Sequence, residues 1–362
     1  MKNIKILGAG LSGLTTAINL AKNDYNVEVF EKAKDSGTRF HNDLQGLENW
    51  SSDIDIKQEL ESMNIKFNFE YNPFKKMSIT DGKEVLSNTS NRPFFYIVGR
   101  GTKNKSLDQS LKNQAIDCDV KINFGSKVKR DEVDIISTGI SGRNQIGVAR
   151  GICFETKSDD IAVALINKET AHNGYSYLLI SNGKGTICSI NFFETGINVN
   201  KYYKKTFETI SKLFEVDIKN KRDFGGIGCF LIKPKLIENG RLFTGEAAGL
   251  QDFLWGFGMR YAITSGFLAA RSIIENKNYK NLVNKNLSRR LKTSIVNRYL
   301  AEKIGDIFYN YLINQAKENK DWLKFLHDNY NSTFYKRIIY PFAKNNLMRK
   351  YKKYYSSVSI CL

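Results

Sequence analysis

The sequence Gly8-Ala9-Gly10-Leu11-Ser12-Gly13 joins a short apolar run, Ile4 to Leu7, to apolar residues that recur every three or four positions. This order predicts a strand, a tight turn and a helix. The first glycine supplies the dihedral angles of the turn, the second lets backbone amides approach a pyrophosphate, and the third lets the helix pack closely on the strand. Phosphates would then lie at the helix N-terminus, beside Leu11 and Ser12.

A second strand, Val27 to Phe30, ends at Glu31, about 20 residues after the glycines. An acidic residue at this position binds ribose hydroxyls and disfavours a 2′-phosphate, so the expected cofactor is FAD or NAD rather than NADP. The alternative is a glycine-rich turn in another kind of α/β domain. Lys32 and Arg39 belong to the loop that follows, which we expect to lie over the cofactor phosphates.

The chain has 362 residues, of which 41% are hydrophobic, so it can form two domains with sizeable cores. Its formal charge is +18, and residues 285–362 contain 16 Lys and Arg against five Asp and Glu. Such an excess favours anionic partners: a phospholipid surface, nucleic acid, an acidic protein or a phosphorylated substrate. A solvated basic surface without a partner is the alternative.

No signal peptide is recognised before the first strand, and no apolar run approaches the roughly 18 residues of a membrane-spanning helix. We therefore expect a cytoplasmic protein that is at most peripheral to the inner face of a membrane. The five cysteines show neither a CxxC motif nor the spacing of metal ligands. The sequence accordingly predicts no disulfide and no metal site.

Alternating apolar residues from Phe67 to Val85, around an Asp81-Gly82 turn, predict an antiparallel sheet outside the nucleotide fold. Further strands are predicted at 94–98, 133–138, 161–166, 175–180, 185–193, 228–234 and 242–244. Helices are predicted after Arg100, at 202–214, up to residue 274, and from 287 onward with Pro341 as the only break. The expected fold class is α/β: a Rossmann-like domain with a parallel sheet, an inserted antiparallel-sheet domain and a helical C-terminal tail.

Four segments together resemble the FAD-dependent oxidoreductases of the geranylgeranyl reductase and aromatic-hydroxylase superfamily, over residues 1 to about 275. The segments are the N-terminal fingerprint with Glu31, Tyr96-Ile97-Val98-Gly99-Arg100-Gly101 with its helix, Asp134-Ile135-Ile136-Ser137-Thr138-Gly139, and Leu242-Phe243-Thr244-Gly245-Glu246-Ala247-Ala248-Gly249. The resemblance implies FAD as the cofactor. It divides the chain into an FAD-binding domain (1–66, 99–150 and 237–280), a substrate domain (67–98 and 151–236) and a basic helical region (281–362).

The same resemblance assigns cofactor contacts. Arg100 would contact the FAD phosphates or ribityl chain, and Glu246, where the family usually has Asp, would bind a ribityl or ribose hydroxyl. In the stretch Leu250 to Ala262, a turn opens a helix whose amides would face the flavin pyrimidine, where a helix N-terminus stabilises the negative charge of reduced flavin. The other implied contacts are Gly139, Gly245, Gly249, Trp255, Gly256, Phe257, Gly258 and Met259.

Within the superfamily, the sequence is most similar to geranylgeranyl reductases. The aromatic strand Tyr175-Ser176-Tyr177-Leu178-Leu179-Ile180, followed by Gly183-Lys184-Gly185, resembles the strand that lines their prenyl tunnel. The resemblance implies hydrogenation of C=C bonds in the prenyl chain of a lipid or lipid precursor. An FAD-dependent monooxygenase is the alternative, and a flavin-binding or interaction protein without activity is a second one.

Three side chains are candidates for the chemistry itself. His41 lies in the loop after Glu31 and can supply the proton that accompanies hydride addition to a double bond, although a loop histidine or a phosphate contact explains it equally. Tyr175 and Tyr177 share one face of a strand and either line the substrate pocket or belong to the core. Trp255 borders the implied flavin ring and is expected to contact cofactor or substrate.

Two features that the sequence lacks bear on the electron donor, namely a nicotinamide-docking motif and a second dinucleotide fingerprint. Residues 138–150 replace the Asp-Gly motif that helps hydroxylases dock a nicotinamide, and the chain has a single dinucleotide fingerprint. An acidic, ferredoxin-like donor or a nicotinamide is therefore expected to reduce the flavin. The basic, aromatic tail suits an anionic membrane surface, or it closes the substrate domain as an amphipathic helix. No nucleic-acid recognition module is visible, so no nucleic acid is expected.

Overall fold

A computed structural model describes residues 2–139, 146–192 and 196–352. The strands are β1 (Asn3–Leu7), β2 (Asn26–Glu31), β3 (Leu44–Glu48), β4 (Tyr71–Phe74), β5 (Lys76–Thr80), β6 (Val85–Thr89), β7 (Phe95–Gly99), β8 (Lys121–Phe124), β9 (Ile135–Ile136), β10 (Gly147–Glu155), β11 (Ile161–Leu165), β12 (Tyr175–Ser181), β13 (Lys184–Phe192), β14 (Lys219–Gly228), β15 (Ile237–Glu238) and β16 (Arg241–Phe243). The α-helices are α1 (Leu11–Ala21), α2 (Ile56–Ser62), α3 (Leu107–Ile116), α4 (Val199–Leu213), α5 (Met259–Ile274), α6 (Tyr279–Asn286), α7 (Ser288–Ile304), α8 (Ile307–Glu318), α9 (Trp322–Tyr330) and α10 (Phe334–Lys350).

A six-stranded sheet in the order β15-β16-β9-β1-β2-β8 forms the nucleotide domain. All its pairings are parallel except that of β15 with β16. Helix α1 connects β1 to β2 and buries ten of its residues, and it packs against α5. That contact is close because a Cβ on Gly266 would stand 2.2 Å from the Ser12 carbonyl oxygen. The predicted strand, turn, helix and second strand are confirmed.

The second domain is a seven-stranded sheet in the order β14-β10-β13-β12-β11-β5-β6. Its pairings are antiparallel apart from β11 with β5, and the predicted Asp81-Gly82 turn joins β5 to β6 with a φ of +97° at Gly82. Helix α4 covers one face, where Ile210 packs against Leu178 and Ile187. The α/β class with a separate antiparallel sheet is therefore confirmed.

A three-stranded sheet, β3-β7-β4, stands between the two larger ones. Buried Arg260, in the first turn of α5, fixes it to the nucleotide domain by ion pairs to Glu48 (2.6 Å) and Glu59. Burial by itself would raise the pKa of Glu48, but the adjacent Arg260 guanidinium holds that pKa below its ordinary value. Neither β3 nor Arg260 is singled out by the sequence patterns.

The C-terminal region is helical, as predicted, and it packs on both domains. Helix α10 lies along α7, and buried Leu347 joins Val296 and Phe253 in one apolar cluster. Helix α10 continues through Pro341, which is therefore not a break. None of the helices in the described part of the chain has the length and hydropathy that a membrane-spanning helix needs.

Several predicted boundaries are wrong. A strand is expected at 228–234, but Phe230 and Ile232 lie in a loop and pack into an apolar cluster. The strand in this region is β14, at 219–228, where a polar, glycine-rich segment pairs with β10. The strand expected at 133–138 is shorter in the structure, where β9 contains only Ile135 and Ile136.

Cys118, Cys153, Cys188 and Cys229 are free thiols, and Cys361 lies outside the described residues.

Candidate cofactor and substrate site

The glycine turn before α1 is shaped to accept an anion. Gly8 has a φ of +109°, and a Cβ there would meet the Ser137 carbonyl oxygen at 2.4 Å. A Cβ on Gly13 would stand 2.0 Å from the Gly8 carbonyl oxygen, so both positions require glycine. A Cβ on Gly10, in contrast, meets nothing within 4 Å. No side chain in the described part of the chain caps α1, so its first amides and the positive end of its dipole are left for a ligand beside Gly10.

The Glu31 carboxylate lies where the sequence predicts a ribose contact. It accepts hydrogen bonds from the backbone N–H groups of Ala9 and Ala33, each at 2.9 Å. Since each carboxylate oxygen has two lone pairs, both retain capacity for a ligand hydroxyl. Lys32 is exposed beside it, and Leu11 and Ser12 are buried in α1.

The turn 245–249 lies against the start of α1. A Cβ on Gly245 would stand 2.7 Å from Ser12 Oγ, and Gly249 adopts a φ of +73°. Glu246 accepts a hydrogen bond from the Cys229 N–H at 2.9 Å and forms an ion pair with Arg39. The ion pair also lies next to Gly139, since a Cβ there would be 3.4 Å from the Arg39 guanidinium.

The structure thus brings together the predicted contacts Gly8, Gly10, Gly13, Ser12, Arg39, Gly139, Gly245 and Glu246. Arg100 is different, because its guanidinium is buried in a bidentate ion pair with Asp108 at 2.9 and 3.0 Å. The Phe40 ring covers it at 3.9 Å. Residues 140–145 of the segment that lacks the Asp-Gly motif lie outside the described residues.

A second turn, Leu250 to Gly258, leads into α5, whose N-terminus also has no side-chain cap. Asp252 makes three hydrogen bonds within the turn. Its backbone N–H donates to the Phe257 carbonyl at 2.9 Å, and its backbone carbonyl accepts from the Gly256 N–H. Its carboxylate accepts from the Trp255 N–H. Gly256 needs its glycine because its φ is +76°. Met259, the first residue of α5, packs against the core of the nucleotide domain.

Side chains of α7 form hydrogen bonds to the same turn. Arg298 is 2% exposed and donates to the carbonyls of Phe253 (3.1 Å), Leu254 and Asn173 (2.7 Å). Ser294 Oγ accepts from the Phe253 N–H at 2.9 Å. Neither residue is marked by a local sequence pattern, and Arg298 is one of many basic residues in the tail.

Aromatic rings line the other side of this turn. Tyr175 contacts Trp255 at 5.4 Å and Phe257 at 6.2 Å, and Tyr177 lies 6.2 Å from Tyr175 on the same face of β12. Trp50 continues the cluster through Phe257 at 5.4 Å. Burial raises the pKa of Tyr175 and of Tyr177 above the ordinary value, so both phenols stay protonated at neutral pH.

Three buried polar atoms beside this cluster have no hydrogen-bond partner among the described residues: Asp252 Oδ1, Trp50 Nε1 and Tyr330 Oη. Burial is the main reason that the pKa of Asp252 rises to about 7, and the charge of Glu48 adds to it. The Arg298 guanidinium and the Trp255 and Leu254 amides act in the opposite direction. Asp252 is therefore a carboxyl that changes charge near neutral pH, in the turn next to the implied flavin.

A cavity of about 710 Å³ opens beside Trp255. Trp255, Phe308 and Tyr309 form an aromatic wall, and Arg298 and His172 also line it. Charged side chains line it as well, namely Lys201, Lys204 and Lys205 of α4 and the carboxylates Glu169, Glu208, Glu302 and Asp306. The cavity is large enough to hold a small organic molecule or part of a chain.

His41 lies outside this aromatic cluster. It is exposed, its N–H donates to Asp43 Oδ1 at 3.0 Å, and its ring stacks on Phe224 at 5.9 Å. Phe224 belongs to the apolar cluster that also contains Tyr177. His41 is thus separated from the Tyr177 side of the sheet by one aromatic ring.

Comparison with protein families identifies an NAD(P)-binding Rossmann-like domain at residues 6–47. This match covers the glycine turn, α1, β2 and Glu31. No curated protein sequence matches the chain. Within this domain, open space at Gly10, the uncapped α1 and the Glu31 carboxylate fit a dinucleotide.

The whole chain is similar in structure to several solved proteins, one of which is a flavin-dependent enzyme. A geranylgeranyl bacteriochlorophyll reductase-like protein from Thermoplasma acidophilum has a TM-score of 0.68 at 16% identity, with 100% of both chains covered. The flavin-dependent brominase Bmp2 has a TM-score of 0.63 at 15% identity, with 96% of this chain and 99% of the brominase covered. For p-nitrophenol 4-monooxygenase PnpA from Pseudomonas putida DLL-E4 the values are 0.55 and 12%, with 95% and 99% covered. The chain therefore has an N-terminal NAD(P)-binding Rossmann-like domain, and its overall fold is the one that these solved structures share.

Proposed function

We propose that this protein is an FAD-dependent oxidoreductase that hydrogenates C=C bonds in the prenyl chain of a lipid or lipid precursor. The observation that carries the proposal is the position of the turn Leu250 to Gly258. On one side it leads into the uncapped N-terminus of α5, and on the other it carries Trp255 and Phe257 into an aromatic cluster beside a large cavity.

The residues that would hold FAD surround the start of α1. The amides beside Gly10 would bind the pyrophosphate, Glu31 the ribose hydroxyls, and Glu246 with Arg39 the ribityl region. We also propose that Arg100 contacts the FAD phosphates or the ribityl chain, while its guanidinium keeps its ion pair with Asp108. FAD held in this way would, in its reduced form, supply the hydride for the reduction. The N-terminus of α5, which has no side-chain cap, would stabilise the negative charge that reduction adds to the flavin.

The substrate would lie along the aromatic wall. Trp255, Phe308 and Tyr309 present ring surfaces to the cavity, and Tyr175 and Phe257 pack on Trp255 behind them and keep water from that side of the wall. Because their pKa values are raised, Tyr175 and Tyr177 are weak acids, so we assign them to lining the pocket rather than to proton transfer. His41, which is exposed and lies outside the aromatic cluster, remains the proposed proton donor.

The test is a reaction with reduced protein. The purified protein is reduced chemically without oxygen and mixed with a lipid that carries geranylgeranyl chains in detergent. Mass spectrometry should then show the addition of two hydrogen atoms for each double bond reduced. A protein that carries FAD but leaves every double bond intact would contradict the assignment to prenyl reduction while leaving the cofactor unaffected.

A monooxygenase is the second candidate, because one structure with this fold is a p-nitrophenol 4-monooxygenase and another is a flavin-dependent brominase. The same reduced protein, exposed to oxygen with a phenolic substrate, would then give a product heavier by one oxygen atom. A chain that purifies without flavin, and takes up none, would instead support an interaction protein without catalytic function.

The reaction also requires an electron donor and access to a lipid substrate. A ferredoxin-like acidic protein or a nicotinamide would reduce the flavin, and anaerobic flavin bleaching by each donor in turn identifies which one acts. Because prenyl lipids reside in bilayers, we extend the proposal to peripheral contact with an anionic membrane surface, which the net positive charge of residues 285–362 favours.

A further inference from the structure

The outer face of α10 exposes large apolar side chains that no other part of the described chain covers. Phe334, Tyr335, Ile338 and Phe342 are 70%, 75%, 53% and 69% exposed. Most large apolar residues of a folded protein are buried, and a contiguous exposed group of them marks an interaction site.

These side chains form one stripe. Phe334, Ile338 and Phe342 are spaced four residues apart, so they follow one face of the helix over about 12 Å. The opposite face of α10 packs on the protein through Ala343 and Leu347, both at 0% exposure. The packing of α10 on α7 therefore fixes which residues point outward, and the apolar stripe does not depend on a mobile or unfolded segment.

The charge around the stripe indicates which kind of partner binds it. Residues 331–352 contain six Lys and Arg and no Asp or Glu. Arg337 and Arg349 are exposed at the flank and at the end of the stripe, whereas Lys350 pairs with Glu302 of α7. A second copy of the chain would bring like charges together at this face, whereas an anionic lipid surface complements both the cations and the apolar side chains.

We propose that the α10 stripe, Phe334, Tyr335, Ile338 and Phe342 with the flanking arginines, is the surface by which this protein docks on anionic bilayers. The aromatic and aliphatic side chains enter the interface between headgroups and acyl chains while the arginines contact lipid phosphates. The inference rests on the membrane part of the proposed function and is independent of the cofactor and of the reaction.

The experiment compares vesicles and variants of the full-length chain. At low salt, the parent protein should sediment with phosphatidylglycerol vesicles and remain in solution with phosphatidylcholine vesicles. Phe334→Gln, Ile338→Gln and Phe342→Gln together should lower the ratio of bound to free protein at least about tenfold. Ile116→Gln with Ile237→Gln, which changes two exposed isoleucines of the nucleotide domain, should leave binding unchanged.

Flavin content and prenyl reduction in detergent separate this inference from the proposed function, because the triple variant should retain both at the parent level. Equal vesicle binding by parent and triple variant would overturn the proposal. So would a parent that binds neither kind of vesicle. Light scattering that shows a dimer for the parent and a monomer for the variant, without vesicle binding, would assign the stripe to self-association instead.

Discussion

Two turns in this molecule each lead into a helix with an uncapped N-terminus, and they are held in opposite ways. The turn Gly8 to Gly13 before α1 is supported by backbone, through the Gly8 N–H bond to the Phe30 carbonyl and close contacts to Ser137. The turn Leu250 to Gly258 before α5 is supported by side chains of α7, about 40 residues further along the chain. The close backbone contacts of the first turn require glycines, which mark it in the sequence, whereas no comparable local pattern marks the α7 side chains that hold the second turn.

The largest effect should come from Gly13. A Cβ at this position would stand 2.0 Å from the Gly8 carbonyl oxygen, and that oxygen is part of the backbone and cannot move aside. Gly13→Val should therefore prevent folding, measured as loss of soluble protein and of the cooperative urea transition. A soluble variant with parental stability would mean that the first turn is not held by backbone contacts.

Gly10 makes the matched control, because it belongs to the same turn but faces open space. Gly10→Val should change the free energy of unfolding of the FAD-free protein by no more than about 1 kcal/mol. The new side chain occupies the position of the pyrophosphate, so FAD binding should weaken at least about a hundredfold, measured by fluorescence titration. Retention of full FAD would contradict the proposed site.

These two variants also show what the sequence could predict. The hexapeptide Gly8 to Gly13, Glu31 and the alternation around Asp81-Gly82 encode their structure locally, and the predicted elements are present. The strand at 219–228 was not predicted, since its polar residues and glycines pair with β10 through contacts distant in sequence. Arg298 and Asp252 could not be identified for the same reason: the fold, and no local pattern, places them in the second turn.

The third effect concerns Arg298. Arg298→Met retains much of the side-chain volume but leaves the buried carbonyls of Phe253, Leu254 and Asn173 without their donor. The free energy of unfolding should fall by about 3–5 kcal/mol. Arg289→Met, an exposed neighbour on α7, should change it by less than about 0.5 kcal/mol. If both variants are equally stable, α7 does not hold the second turn.

The smallest expected effect is the pH dependence contributed by Asp252. Its pKa is about 7 in the folded protein and 3.8 ordinarily, so between pH 5 and 7 the folded chain binds a proton that the unfolded chain has released. Stability should therefore fall as pH rises through this window, by at most about 1.4 kcal/mol per pH unit, and level off above pH 7.

Asp252→Asn removes this titration and retains the side-chain carbonyl that accepts from the Trp255 N–H. Its stability relative to the parent should therefore increase by about 2–3 kcal/mol from pH 5 to pH 7 and then remain constant. Urea unfolding of both FAD-free proteins at half-unit pH steps measures the difference, in which the titrations common to both proteins cancel. Parallel pH profiles would show that Asp252 is ionised throughout, with Arg298 as its counterion. The second turn would then be held by a buried ion pair in addition to the carbonyl contacts.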